Sequence, residues 1–144
     1  MEEELTILNN TGIWELVDPP SGANIIGSKW VFKAKKDAVG NVVHYKVHLV
    51  AQGFSQVPGV NYFDTFAPVA KLVSIHAILA IATARNMEIH QINIKGAFLN
   101  GKLTDNECIY MWQPPGFIDS THPLRVYHLK KMLYGLKQSG RRWY

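Results

Sequence analysis

Between residues 28 and 54 the run SKWVFKAKKDAVGNVVHYKVHLVAQGF alternates in a way that suits a β-hairpin and not a helix. In its first half Lys29, Lys33 and Lys35 share one face, and Trp30 and Phe32 share the other. In its second half His44, Lys46 and His48 oppose Tyr45, Val47 and Leu49. Successive side chains of a strand point to opposite faces, so this pattern predicts two strands around the turn DAVGN. If like residues pair with like, the hairpin has an aromatic-aliphatic side and a cationic side. The cationic side has two readings: a solvated polar face, or a row of ammonium groups that neutralises phosphates regardless of sequence.

The rest of the chain is punctuated around this hairpin. DPPSG at 18–22 interrupts any helix or central strand. The expected organisation is therefore an acidic leader and Pro/Gly linker over 1–22 and a single domain over 23–144. After the loop YFDTFAPVAK, the segment SIHAILAIATARN (74–86) carries Ile75, Ile78, Leu79 and Ala82 at helical spacing. Ile81, Ala77, Ala80 and Ala84 widen that stripe until little polar surface remains, which predicts a core helix. Asn86 supplies its stop, because Asn tolerates the left-handed conformation. EIHQINIK (88–95) reads as a strand that turns Ile92 and Ile94 onto the helix and lines a cleft with Gln91, Asn93 and Lys95. GAFLNG then turns the chain. ECIYMWQPPGF predicts a short strand ended by two prolines, and LRVYHL a further strand. KKMLYGLKQSGRRWY breaks at Gly135 before the first turn of a helix. A chain ending on Trp143 and Tyr144, large residues that seek burial, is expected to be cut short.

Composition narrows the classes that fit. With 144 residues, 47% of them hydrophobic and 18% charged, the chain is too apolar to be disordered and long enough for one core. No apolar run approaches the roughly 18 residues of a membrane span, and MEEELTILNN has no hydrophobic signal core. The expectation is an intracellular protein, cytoplasmic or nuclear, with no membrane partner. Cys108 is alone, which excludes an internal disulfide and a cysteine-based zinc site. His44 and His48, on a strand, stand roughly 13 Å apart and cannot share a metal. The net charge of +4 is unevenly spread: residues 1–20 hold five acidic groups and no Lys or Arg, and the remainder carries 15 basic against 6 acidic groups. A basic body behind an acidic start points to a polyanionic partner.

Four segments in order, WVFKAKKDAVGNVVHYKVHLVAQGFSQVPGVNYFDTFAPVAKL, QINIKGAFLNG, IYMWQPPGF and LYGLKQSGRRWY, resemble the amino-terminal part of the reverse transcriptase domain of copia-type retrotransposons. The likeness runs from about Trp14 to Tyr144. It implies an α+β fold, a partial fingers and palm in which antiparallel strands carry packed helices, with the fingers hairpin at about 28–54 and the palm at about 72–144. It also implies the RNA-directed DNA polymerase portion of a Gag-Pol polyprotein, with an RNA or DNA template-primer and a deoxynucleoside triphosphate (dNTP) as partners and Mg²⁺ as cofactor. Such enzymes transfer a nucleotidyl group between two metal ions held by carboxylates. The family takes these from an Asp at the end of the first palm strand and from a later Asp-Asp hairpin.

Carried over by position, that first Asp falls on Asn93, the catalytic candidate, and the Asp-Asp hairpin is expected beyond Tyr144. Phe98 matches the residue that screens the sugar 2′-hydroxyl. Lys46 and His48, with Tyr134, Gly135, Lys137 and Gln138, match nucleotide-binding positions, and Lys29, Lys33, Lys35 and Lys36 match nucleic-acid-contacting ones. His48 and His76 stand where the family usually has Arg, and Gly140 where Pro is common. An amide oxygen at 93 coordinates a metal but brings no charge. A loss of about 4 kcal/mol in the transition state slows a reaction roughly a thousandfold. The resemblance therefore implies a reverse transcriptase fragment without an intact metal site, which does not bind Mg²⁺ productively and is catalytically inactive. The alternative is a non-catalytic nucleic-acid-binding module that uses the basic hairpin.

Overall fold

The computed structural model describes residues 1–144. Helix α1 (Glu2–Asn10) opens the chain. Its three glutamates occupy the first turn, where they complement the positive end of the helix dipole, and Leu5 and Leu8 face inward. Strand β1 (Trp14–Val17) follows, then β2 (Ile25–Ile26), β3 (Ser28–Lys36) and β4 (Val42–Ala51). Helix α2 spans Leu72–Ala84. Strands β5 (Tyr110–Trp112) and β6 (Val126–Leu129) precede the short helix α3 (Ser139–Trp143). The architecture is α+β. No helix is long and apolar enough to cross a membrane.

Two sheets result. Strands β1, β6, β5 and β2 form one in that order, and β3 and β4 form the separate hairpin. The expectation of antiparallel strands holds for β1–β6 and β5–β6 and fails for β2, which runs parallel to β5 through Ile25–Tyr110 and Ile26–Met111. The long connection through the hairpin and α2 returns the chain to the same end of the sheet and makes that parallel pairing reachable.

The hairpin register pairs Trp30 with Leu49, Phe32 with Val47, Lys33 with Lys46 and Lys35 with His44. Like pairs with like toward the tip, but at the base Lys29 lies opposite Val50 and Val31 opposite His48, so the cationic face is continuous only over Lys33, Lys35, His44 and Lys46. At the tip, Asp37 accepts hydrogen bonds from the amides of Val39 and Asn41, at 3.0 and 2.9 Å.

One core holds the base of the hairpin to the four-stranded sheet. Leu49 and Ala51 of β4 join Leu5, Leu8, Ile13, Ile26, Leu99, Ile109, Met111, Leu129, Met132, Leu133 and Leu136 in it. Leu5, Leu8 and Ile13 come from the segment expected to be a leader, so that segment is built into the same unit as the rest. Leu5 and Leu8, at helical spacing, seat this acidic segment in the core.

Two further expectations fail. Helix α2 forms and stops where expected, with Asn86 at φ 50°, but it is not a core helix. Leu72, Val73 and Ile78 are 65%, 76% and 65% exposed, and Ala82 is its one buried residue. Residues 88–95 form no strand: none of their backbone groups enters a backbone hydrogen bond, and Ile89, Ile92 and Ile94 are exposed. A strand exists only beside a partner strand, and an apolar helix is buried only if something covers it. The accessible surface of 10070 Å² accordingly exceeds the roughly 7,500 Å² of a compact chain of this mass.

Candidate functional site

The cationic face of the hairpin looks onto the turn after residue 95, and the two border an open cavity of about 840 Å³. Strand alternation brings Lys35, His44, Lys46 and His48 to it from one side. The stretch Asn93–Asn100 forms the other side, and Tyr134 and the helix α1 residues Glu4 and Ile7 complete the wall. Gly96 makes the turn possible, with φ 62° in the left-handed region, and starts a single 3-10 turn over Ala97–Asn100.

Inside the cavity four side chains form a continuous line. Glu4 Oε1 lies 2.9 Å from His48 Nδ1. The His48 ring tilts against Tyr134 at 4.8 Å between centroids, and Phe98 meets Tyr134 edge-on at 6.1 Å. Burial, and secondarily the Glu4 carboxylate, push the Tyr134 phenol above its ordinary value. Asn93 is exposed on the cavity wall and makes no hydrogen bond to any other side chain.

The electrostatics are one-sided. Three lysines, Lys35, Lys46 and Lys95, line the cavity against the single carboxylate of Glu4, which is already engaged with His48. Lys33 lies directly across from Lys46 in the pairing register, and like charges so placed destabilise a sheet. None of the hairpin lysines is within salt-bridge distance of a carboxylate.

These residues do not fit a pair of Mg²⁺ ions. Mg²⁺ is held through one or two carboxylates with phosphate and water oxygens, and for two such ions the wall offers one carboxylate, already paired with His48, and the uncharged amides of Asn93 and Asn100 among lysines. Nowhere does a group of three or more His, Cys, Asp or Glu side chains approach closely enough to hold a metal.

Of the positions singled out from the sequence, Asn93, Lys46, His48, Phe98, Tyr134 and Lys35 are brought together here. Lys29, Lys33 and Lys36 are exposed along the hairpin, outside the cavity. Three others lie elsewhere. Gln138 is fully buried: its Oε1 accepts from Gln56 Nε2 at 3.1 Å, and its Nε2 donates to the Asn61 carbonyl at 2.8 Å. Lys137 stands over the ring of Tyr62, 5.3 Å from its centroid. Gly135, at φ 90°, lies against the backbone of Ala51. Each of the three residues joins the end of the chain to the end of β4 or the segment just after it. Glu4 was missed. The signal for it was the spacing of Leu5 and Leu8 behind the glutamate run, which marks a helix that turns Glu4 sideways toward the hairpin.

The chain matches the family model described as reverse transcriptase (RNA-dependent DNA polymerase) over residues 10–144. It is 45% identical over its whole length to the retrovirus-related Pol polyprotein from transposon RE1 of Arabidopsis thaliana, of which it covers 10%. It is 44% identical over its whole length to the Pol polyprotein from transposon TNT 1-94 of Nicotiana tabacum, of which it covers 11%. Over 89% of its length it is 33% identical to the transposon Ty1-H Gag-Pol polyprotein of Saccharomyces cerevisiae, of which it covers 6%. The chain thus spans about a tenth or less of these curated relatives. No solved structure gives a significant match. These likenesses place the chain in the reverse transcriptase (RNA-dependent DNA polymerase) family, with its relatives among the Pol polyproteins of copia-type transposons.

Proposed function

We propose that residues 23–144 are the fingers hairpin and the beginning of the palm of an RNA-directed DNA polymerase carried in a Gag-Pol polyprotein, and that Asn93 leaves them without polymerase activity. The natural partners in this reading are a template-primer, an incoming dNTP and the rest of the polyprotein. The observation that carries it is the convergence of Lys46, His48, Asn93, Phe98 and Tyr134, scattered over 89 positions of sequence, on one cavity. The position that should present a carboxylate presents an amide among lysines, so no step of nucleotidyl transfer is assigned to these residues.

The test is a chimera in which these 144 residues replace the corresponding segment of an active copia-type reverse transcriptase. The chimera with Asn93 is expected to give no primer extension, and Asn93→Asp to restore it in Mg²⁺. Extension at comparable rates by both forms would end the proposal that Asn93 is the lesion.

A second reading, a non-catalytic nucleic-acid-binding module, is favoured by one specific feature. The opposed Lys33 and Lys46 lack counter-charges, and a phosphate backbone would relieve that repulsion. Lys46→Gln should weaken binding of a single-stranded oligonucleotide and lower the slope of log affinity against log salt by about 0.7. An unchanged slope would remove Lys46 from the interface.

A further inference from the structure

We propose that the first turn of α1 is a built-in competitor for nucleic acid: Glu4 occupies the cationic face of β4 at His48 and must yield before a phosphate backbone can lie along that strand. This rests on the reading that the hairpin face binds nucleic acid, and adds to it a regulating contact within the chain.

Three observations carry the inference. Glu4 Oε1 is 2.9 Å from His48 Nδ1, with the carboxylate side chain only 14% exposed, so the acid is seated against the strand and not waving in solvent. A second, smaller cavity is lined by Met1, by Glu3, Glu4 and Ile7 of α1 and by the run His44–His48 of β4, so the acidic turn lies alongside that row. Helix α1 is also anchored: Leu5 and Leu8 are core residues, which fixes Glu4 at the hairpin instead of leaving it to a mobile tail.

The charges that face Glu4 are those a phosphate would seek. Lys35, Lys46 and Lys95 share its cavity with His44 and His48. A carboxylate there satisfies part of the positive field and repels a second anion, so a phosphate backbone that takes this strand displaces Glu4. Glu2 belongs to the same turn and carries the same charge, but lines neither cavity. It is therefore an internal control for net charge.

The experiment measures the affinity of a labelled single-stranded oligonucleotide for the 144-residue chain at several salt concentrations, comparing Glu4→Gln with Glu2→Gln. Both substitutions raise the net charge by one. Glu4→Gln is expected to tighten binding by about threefold beyond Glu2→Gln and to steepen the salt dependence by roughly 0.7, one added phosphate contact on a single strand. Glu4→Lys against Glu2→Lys repeats the comparison with twice the charge change, and circular dichroism checks that each variant keeps its fold. Equal gains from the two positions would overturn the competitor and leave nucleic-acid binding standing. Weaker binding by Glu4→Gln would overturn it too, since Glu4 would then be supporting His48. No binding by any form would overturn the binding reading and the competitor together.

Discussion

Gly53 and Gly135 meet backbone against backbone: a Cβ at Gly53 would lie 2.1 Å from the Gly135 carbonyl oxygen. One at Gly135 would fall 2.2 Å from the carbonyl oxygen of Ala51, whose own amide donates to the Tyr134 carbonyl at 2.7 Å. The exit of the hairpin is thereby fastened to the segment that carries Tyr134, and the cavity between them depends on this contact. Gly53→Ala should destabilise the fold by about 2–3 kcal/mol through overpacking of rigid backbone. Gly116→Ala meets open space and only a left-handed φ of 83°, and should cost about 1 kcal/mol. Urea denaturation ranks the two. Equal losses would mean that the backbones have room to separate.

Arg142 and Arg141 are neighbours with unequal partners. Arg142 Nη2 is 2.7 Å from Glu107 Oε2, and the Glu107 side chain is 2% exposed. Thr104 Oγ1 donates to the same oxygen, and Gln138 Nε2 reaches the other at 3.4 Å. Arg141 pairs with Asp64 at 2.9 Å, with both side chains substantially in water. Removing Arg142 strands a buried carboxylate, at about 3 kcal/mol. Arg141→Ala should cost less than about 1 kcal/mol, as exposed pairs do. Chemical denaturation of the two variants measures the difference, and a larger loss for Arg141→Ala would contradict the assignment of the buried network.

What was legible in the sequence was local. The hairpin and its two faces follow from a period of two that Lys33, Lys35, Lys46 and His48 keep without interruption, and pairing opposite residues needs only the turn at Asp37–Asn41. The stop at Asn86 and the turn at Gly96 follow from backbone conformations that these residues tolerate. The convergence of Asn93, Lys46 and Phe98 was reached through family likeness, since no spacing in the chain brings residue 46 to residue 93. The strand expected at 88–95 failed because its alternation describes a strand but supplies no neighbour for it. The burial of Gln138 was invisible for a related reason. A polar side chain is satisfied inside only by specific partners, here Gln56, Asn61 and Glu107, and these lie 31 to 82 positions away.

Stability should fall at both ends of the pH scale, for different groups. The Glu15 carboxyl is held below its ordinary value by the hydrogen bond to Lys130 and then by that to His128. Asp37, Asp64 and Asp119 are lowered by the hydrogen bonds they accept, first from Asn41, Phe66 and Thr121 respectively. A carboxyl easier to ionise in the folded chain stabilises it above the unfolded value, about 4, and that contribution is lost as pH falls through the folded value. Burial raises the Tyr127 and Tyr134 phenols. Their contribution is complete below about 10 and is lost as pH rises through the folded values. The urea midpoint should therefore be flat between about pH 5 and 9 and decline on either side, with Tyr127→Phe and Tyr134→Phe shortening the alkaline decline. A midpoint that rises on acidification below about pH 4 would contradict the carboxyl assignments.

The exposed face of α2 makes a prediction opposite to the one its composition invites. Leu72, Val73, Ile75 and Ile78 are uncovered, and so are Ile89, Ile92 and Ile94 in the segment that follows. Apolar surface of this extent binds hydrophobic dyes and promotes association, while contributing little to the stability of the chain that carries it. Ile78→Lys removes apolar surface that is already in water and should shift the folding free energy by less than about 0.5 kcal/mol, while reducing dye fluorescence and light scattering. Leu133→Ala, at a fully buried position of the core, should cost about 2–5 kcal/mol. The two are compared by urea unfolding under identical conditions. If Ile78→Lys destabilised as much as Leu133→Ala, helix α2 would have to be packed in solution, and residues 88–95 would be the nearest chain available to cover it.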